Sequence, residues 1–452
     1  MERLGRVHMI ESLGADRFGF HDLLRLFGHE RAAAEEQCPE QAVRRPADWY
    51  LRSADAAARR LYPQLLRLEV PGDPSRVGFD SDAQARRWLD AERDAIVAVV
   101  DHAARGEPET AWLLADAIRG HLQAGRHRAE LLAVSRAAVR AAHDAPPRVR
   151  AISHLSLANA HLHHGDAGRA TEHFADALRR SREAGWLECE AAVHGSLGNL
   201  RRELRELDAA AHHYQRSLEI FQRTGHLSGQ ATSLGNLGAI RRMEGRLAEA
   251  ATDHCESLAL HRAAGSPGGE ALALANLGVV HRERGQLTQA LAHLREALAV
   301  FRRIGDRAGE AGTLEALAAV HRDGGRAAEA LEYAHAALDL ARAISYRRTE
   351  TDVLNMIGTI RYGLDDVAGA IEHHRAALRL ARQPDVHHRD AEVTALLGLA
   401  TAYQAGGDDD RADTFAEEAV VVAAEQGNAL LRDRAQVTLA RIRSGRLTAV
   451  LD

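Results

Sequence analysis

A fixed forty-residue period constrains this chain more than any other feature. A Leu or Ile followed by Gly or Ala recurs without slippage at Leu157-Ala158, Leu197-Gly198, Leu237-Gly238, Leu277-Gly278, Leu317-Ala318 and Ile357-Gly358. Twelve residues after each small landmark stands an alanine, at Ala170, Ala210, Ala250, Ala290, Ala330 and Ala370. Twenty residues after it stands a leucine, at Leu178, Leu218, Leu258, Leu298, Leu338 and Leu378. A seventh copy follows a two-residue insertion, with Leu399-Ala400, Ala412 and Val420. A degenerate eighth lies upstream, from about Ile118 through Gly125 to Ala138. A repeat of this size is one supersecondary unit that cannot bury its apolar face alone, so neighbouring copies must stack.

The unit reads as a pair of helices. Small residues at two fixed positions let helix A and helix B approach closely, and the leucines fill the gap to the next repeat. Gly165, Gly245, Gly285, Gly325 and Gly407 stand where helix A must stop, because glycine tolerates a left-handed cap. Stretches such as Gly305-Asp306-Arg307-Ala308-Gly309-Glu310 end one repeat and place an acid near the next helix N-terminus. No alternation of polarity within residues 110–445 reads as a strand. The pattern resembles the tetratricopeptide repeat in a somewhat longer form. The expected fold is therefore all-α, a right-handed α-α superhelix of about eight repeats over residues 110–427. Residues 428–452 are expected to cap it with one helix, and 76–125 to lead into it with a helical pair. Val70-Pro71-Gly72-Asp73-Pro74-Ser75 is the strongest linker signal, and residues 1–69 break the repeat.

Composition narrows the function classes. At 452 residues the chain carries 58 basic and 64 acidic side chains, a formal charge of −6. That balance gives no net-charge reason for binding nucleic acid or an anionic membrane. Every one of the 58 is arginine; the absence of lysine excludes a Schiff base and a P-loop. Aromatic residues at 4% do not supply a base-stacking platform. Cys38, Cys189 and Cys255 lie far apart without CxxC spacing, so neither a disulfide framework nor a zinc site is expected and a reducing, cytoplasmic setting is. No signal-peptide core and no stretch of 18 uncharged apolar residues occurs, so no membrane association is expected.

Chemistry is equally sparse. There is no GxSxG, no GxGxxG after a strand and no Cys–His nucleophile pair, so neither catalytic residues nor a cofactor are expected. His161 with His164, and Glu332 with His335, have helical ligand spacing, but neither set repeats on a paired helix and HExxH is absent. No metal site is expected from them, and the histidine doublets read as surface.

The N-terminal seventy residues carry a second resemblance. Phe20-His21-Asp22-Leu23-Leu24-Arg25, after a short strand beginning at Arg17, resembles the Met-His-Asp motif that closes the winged-helix subdomain of STAND-class NTPases. It is especially similar to actinobacterial antibiotic-regulatory proteins with an NB-ARC core and a tetratricopeptide tail. Trp49-Tyr50-Leu51, followed by Ala54 and Ala57, and then Trp88-Leu89-Asp90-Ala91-Glu92-Arg93 resemble the family's next landmarks in order. The resemblance implies that residues 1–69 are a winged-helix remnant with a helical segment. It implies that His21 and Asp22 correspond to a nucleotide-sensing motif, although no Walker A or Walker B motif accompanies them. The expectation is a C-terminal sensor and scaffold half lacking the NTPase core, encoded alone or truncated.

Candidate binding residues follow from the repeat. Arg202, Arg242, Arg282 and Arg322 stand four residues after the small landmark, one per repeat. Asn159 and Asn199 stand one residue after it, Asn236 and Asn276 two before it. By the usual geometry of this repeat they line the concave groove, where arginines and amides suit peptide backbone and carboxylates. The competing reading pairs the arginines with Glu203, Glu283 and Asp323 of neighbouring repeats as solvated ion pairs. His161, Arg201, Arg241, His281, His321 and Arg361, just before the ladder, are expected in the seam between repeats. The function expected is a non-enzymatic scaffold or sensor for a peptide or protein partner in signalling or transcriptional regulation, with secondary metabolism as the setting the resemblance implies. Two alternatives stay open: a regulatory subunit acting in trans on a separate STAND NTPase, and a direct DNA-binding regulator through the N-terminal segment. For the latter, Arg3, Arg6, Arg17 and Arg25 are few and no complete helix-turn-helix is present. Homodimerisation through the end helices is a further option.

Overall fold

A computed structural model describes residues 10–14, 17–20, 39–72, 78–125, 127–384, 386, 388–425 and 429–449. Among them are nineteen helices and one hairpin. The hairpin pairs β1 (Ile10–Gly14) antiparallel with β2 (Arg17–Phe20), Ile10 opposite Phe20, with an irregularity between Ser12 and Gly14. His21 and Asp22 lie outside the described residues, and the winged-helix reading of this region remains an expectation. The chain divides into two compact units, residues 1–200 and 201–452.

The first unit holds α1 (Pro39–Leu61), α2 (Asp82–Ala103), α3 (Pro108–Ala124), α4 (Arg128–Ala141), α5 (Pro147–His163), α6 (Ala167–Glu183) and most of α7 (Leu187–Glu203). Leu51, Ala54 and Ala57 of α1 share one continuous core with Leu89, Ile96 and Val100 of α2 and Leu114, Ile118 and Leu122 of α3. Residues on both sides of the 70–75 stretch thus contribute to the same core. Buried Asp116 and Arg119 explain how the segment after α1 is held. The Asp116 carboxylate accepts from the Leu68 amide at 2.7 Å and from Arg119 Nε at 2.8 Å, while Arg119 also donates to the Leu66 carbonyl. Two landmarks of the family resemblance meet here. The Trp49 and Trp88 rings lie edge to face at 5.8 Å, and the Tyr50 hydroxyl donates to Glu92 at 3.0 Å.

The second unit continues in pairs: α8 (Leu207–Thr224), α9 (Leu227–Met243), α10 (Leu247–Ala263), α11 (Pro267–Glu283), α12 (Leu287–Ile304), α13 (Arg307–Asp323), α14 (Ala327–Ala343), α15 (Arg347–Gly363), α16 (Val367–Ala381), α17 (Arg389–Ala405) and α18 (Asp409–Glu425). Odd-numbered helices from α5 to α17 are the A helices and even-numbered ones from α6 to α18 the B helices. The final helix α19 (Ala429–Ala449) packs on α17 and α18 and buries Ala435 and Ile442.

The landmarks act as the spacing suggested. A Cβ at Gly278 would fall 2.5 Å from Leu294 Cγ and 3.3 Å from the Ala290 carbonyl, so only glycine lets α11 and α12 come this close. The A-to-B turn is left-handed in every repeat from Gly165 onward: Gly285 has φ 73°, and Arg205 and Asp365 hold φ 61° in the same column without being glycine. Among the described residues no helix is long and apolar enough to cross a membrane.

Candidate functional site on the inner face of the A helices

Within the second unit, successive A helices touch one another, α9 with α11, α11 with α13, α13 with α15 and α15 with α17. No comparable contact joins successive B helices among the described residues, so the A helices form the inner side of the curve. Arg205, in the turn after α7, reaches Asp390 in the first turn of α17 with Nη2 2.7 Å from Oδ2. A contact that skips so many helices in sequence spans the inside of the array.

On an A helix, residues at i, i+4 and i+7 share a face. That rule puts Gly235, Ala239 and Arg242 on one line, Ala275, Val279 and Arg282 on the next, and Glu315, Ala319 and Arg322 on the third. Gly235, Ala239, Ala275 and Ala319 leave room on this face, and the arginines stand half-buried beside them. Arg242 Nη1 lies 2.7 Å from Glu283 Oε1 one repeat on. Arg282 Nε lies 3.8 Å from Asp323, which Arg322 also holds at 2.7 Å. Arg242 and Arg282 thus each reach forward to a carboxylate of the following repeat, and Asp323 joins Arg282 to Arg322. Arg202 stands beside Glu203; burial pushes the Glu203 carboxyl up, against the opposing fields of Arg202 and Arg348.

The asparagines divide. Asn199 follows Gly195 and precedes Arg202 on the inner line, and Asn159 sits on the equivalent line of α5. Asn236 and Asn276 are displaced about 100° around the helix from Gly235 and Ala275. Both are half-buried, and their side chains make no hydrogen bond among the described residues.

Sequence reasoning missed an acidic cluster on this face. Glu315 is held well above the usual carboxylate range by desolvation, with Asp352 adding to the rise and Arg282 opposing it. Asp352 lies 3.0 Å from His388 Nε2, and Arg348 Nη2 lies 3.5 Å from His388 Nδ1. A signal was present: the Glu315 position carries Leu155, Gly195, Gly235 and Ala275 in earlier repeats, so a carboxylate there breaks the pattern.

The residues just before the ladder do not lie in the seam between repeats. Most meet helix B of their own repeat: His161 stacks on His173 with centroids 5.6 Å apart, His281 on His293 at 5.2 Å, and Tyr403 on Phe415 at 5.6 Å, whereas Arg201 and Arg361 pair with Glu206 and Asp366 in the A-to-B turn. At the same positions His321 meets Tyr333, and Arg241 ion-pairs with Asp253, whose carboxyl burial pushes up to about 6. The reason is helical register, since the third residue after the landmark points at the B helix returning beside it. The helical-spacing sets do not converge: His164 bonds the Arg128 carbonyl, and His335 bonds the Leu331 carbonyl of its own helix.

By fold this is an all-α protein of tetratricopeptide-repeat type, and the tetratricopeptide-repeat family profile matches residues 189–263 and 269–343. Regulatory protein AfsR of Streptomyces griseus is 28% identical over 206 residues, which cover 43% of this chain and 20% of that protein. A STAND protein with a tetratricopeptide-repeat sensor from Pyrococcus horikoshii has a similar structure, with TM-score 0.57 and 16% identity, covering 97% of this chain and 60% of that one. A Rap protein complexed with Competence and Sporulation Factor gives TM-score 0.51 at 12% identity, over 75% of this chain and 99% of that one. The chain thus spans a fifth of the Streptomyces regulator and three-fifths of the archaeal protein.

Proposed function

We propose that this chain is a cytoplasmic, non-enzymatic repeat scaffold or sensor that holds a peptide or protein segment along the inner face of its A helices, as part of a signalling or transcriptional regulator. The observation that carries the reading is the floor of small residues flanked by half-buried, staggered Arg–carboxylate pairs. An extended segment laid there engages Arg242, Arg282 and Arg322 by exchanging its own carboxylates or carbonyls for Glu283 and Asp323, the carboxylates that hold these arginines in the free chain. The similarly folded Rap protein is one solved in complex with Competence and Sporulation Factor, which supports a reading in which this chain too takes a partner. The test is affinity capture from the source cytosol with the full chain, wild type against R242E/R282E, with far-UV circular dichroism confirming that both are folded. Loss of a wild-type partner on charge reversal is the expected result. A partner retained at full yield sinks the inner-face assignment.

A second reading is favoured by the likeness to AfsR and to the archaeal STAND protein. Here the array serves an NTPase, in the same polypeptide or in trans, with His21 and Asp22 as the family's nucleotide-sensing motif. Co-purification with an ATPase whose turnover changes in H21A supports this reading, and turnover indifferent to H21A removes it.

A further inference from the structure

We propose that His154, His173 and Asp176 form a binding site for a borderline divalent cation such as Zn2+, stapling α5 to α6. Their ligand atoms converge across two helices within 4.8 Å of one another. His154 Nδ1 lies 3.1 Å from His173 Nδ1 and 3.9 Å from Asp176 Oδ2. Tetrahedral zinc with bonds of about 2.0–2.1 Å holds its donors roughly 3.3 Å apart, a spacing these two distances bracket. Two imidazole nitrogens face each other here, and only one proton fits between them. Replacing that proton with a metal uses both lone pairs.

The surroundings suit a metal. Arg179 holds Asp176 Oδ1, which leaves Oδ2 turned toward His154. His161 stacks on the His173 ring at 18° and fixes its plane. Two imidazoles and one carboxylate leave a fourth position open, and the side chains are only partly accessible, at 16% for His154 and 34% for Asp176.

The donor set is peculiar to this repeat. Equivalent positions forty residues on are His194, His213 and Arg216, and further on Leu274, His293 and Glu296. A second cluster, Asp90 with His121 and His127, also converges within 4.8 Å. There the Arg93 guanidinium lies 3.4 Å from both nitrogens of His127, a positive charge against the ring that opposes a metal on it.

The experiment uses the full, tag-free chain stripped with chelator and titrated with Co2+, reading visible d–d absorption and the thermal midpoint. Wild type is expected to bind one Co2+ with tetrahedral absorption and a midpoint raised by a few degrees. D176N and H173N are expected to weaken binding at least about tenfold, with helix content unchanged. H127A is expected to bind as wild type. Absence of both absorption and midpoint shift overturns the proposal. So does unweakened binding in D176N and H173N, or a loss confined to H127A.

Discussion

His374 shows how one side chain can set a pH dependence. Its ring fills the space left by Gly358 of α15 and Gly398 of α17; a Cβ at either would come within 2.7 Å and 2.4 Å of the imidazole, respectively. His374 Nδ1 donates to Asn355 Oδ1 at 3.1 Å, and Asn355 Nδ2 donates to the Ala391 carbonyl at 2.9 Å, so the neutral ring is satisfied. Burial, with His373 adding, lowers its pKa to about 4. An unfolded histidine titrates near 6.5, so between these values the unfolded chain binds the extra proton. The contribution is fully present above pH 6.5 and is lost as pH falls toward 4, amounting to roughly 3 kcal/mol. Urea midpoints measured from pH 7.5 to 4.5 are expected to fall for wild type, and to fall less steeply for His374→Gln. Parallel curves for the two proteins would show that another group carries the acid sensitivity. The His373-His374 doublet looks like surface in the sequence, because a dipeptide does not reveal that one member points between two glycines while the other stands about 100° around the helix.

At the scale of the helix pair, the turns divide into relaxed and strained ones. Gly285 adopts φ 73° after an A helix, and Ser345 adopts φ 54° after a B helix. For a residue with a Cβ this left-handed region costs about 1 kcal/mol or more. Gly285→Ala is therefore expected to lower stability by about 1 kcal/mol, whereas Ser345→Gly raises it by a few tenths to about 1 kcal/mol. Denaturant midpoints moving in the same direction for both variants would refute the argument. The element level was also the most legible in the sequence. Period, small landmarks and turn glycines located the helix pairs because each repeat must satisfy the same local packing. The Glu315, Asp352 and His388 cluster was not legible in the same way. Its members come from α13, α15 and the approach to α17, and only the stacking of successive A helices brings them together. The His154, His173 and Asp176 set was not legible for a different reason: His173 and Asp176 stand three residues apart on α6, but their third donor comes from α5 nineteen residues before His173, and spacing alone does not say which residues of two paired helices face each other.

At the scale of the whole molecule, charge bears on whether the chain reads DNA directly. A protein that neutralises Z phosphates gains affinity by releasing counterions, so it needs a surface of uncommitted cations. This chain has 58 arginines against 64 acids. Many arginines are tied to carboxylates: Arg242 to Glu283, Arg262 to Glu270, Arg302 to Glu310, Arg342 to Glu350 and Arg382 to Glu392. Pairs that recur on so many repeats cancel the field that would draw a duplex in from a distance. In the N-terminal segment Arg17 lies in β2, while Arg3, Arg6 and Arg25 lie outside the described residues. The full chain is therefore expected to give no sequence-specific mobility shift with duplex DNA at about 150 mM salt, near physiological ionic strength. A tight complex whose affinity falls steeply with added salt would mean that cations of the N-terminal segment act on DNA despite the balance elsewhere. The direct DNA-binding reading would then displace the scaffold reading. A shift appearing only when a captured partner is added would instead place the DNA contact on the partner and leave the repeat array as the element that holds it.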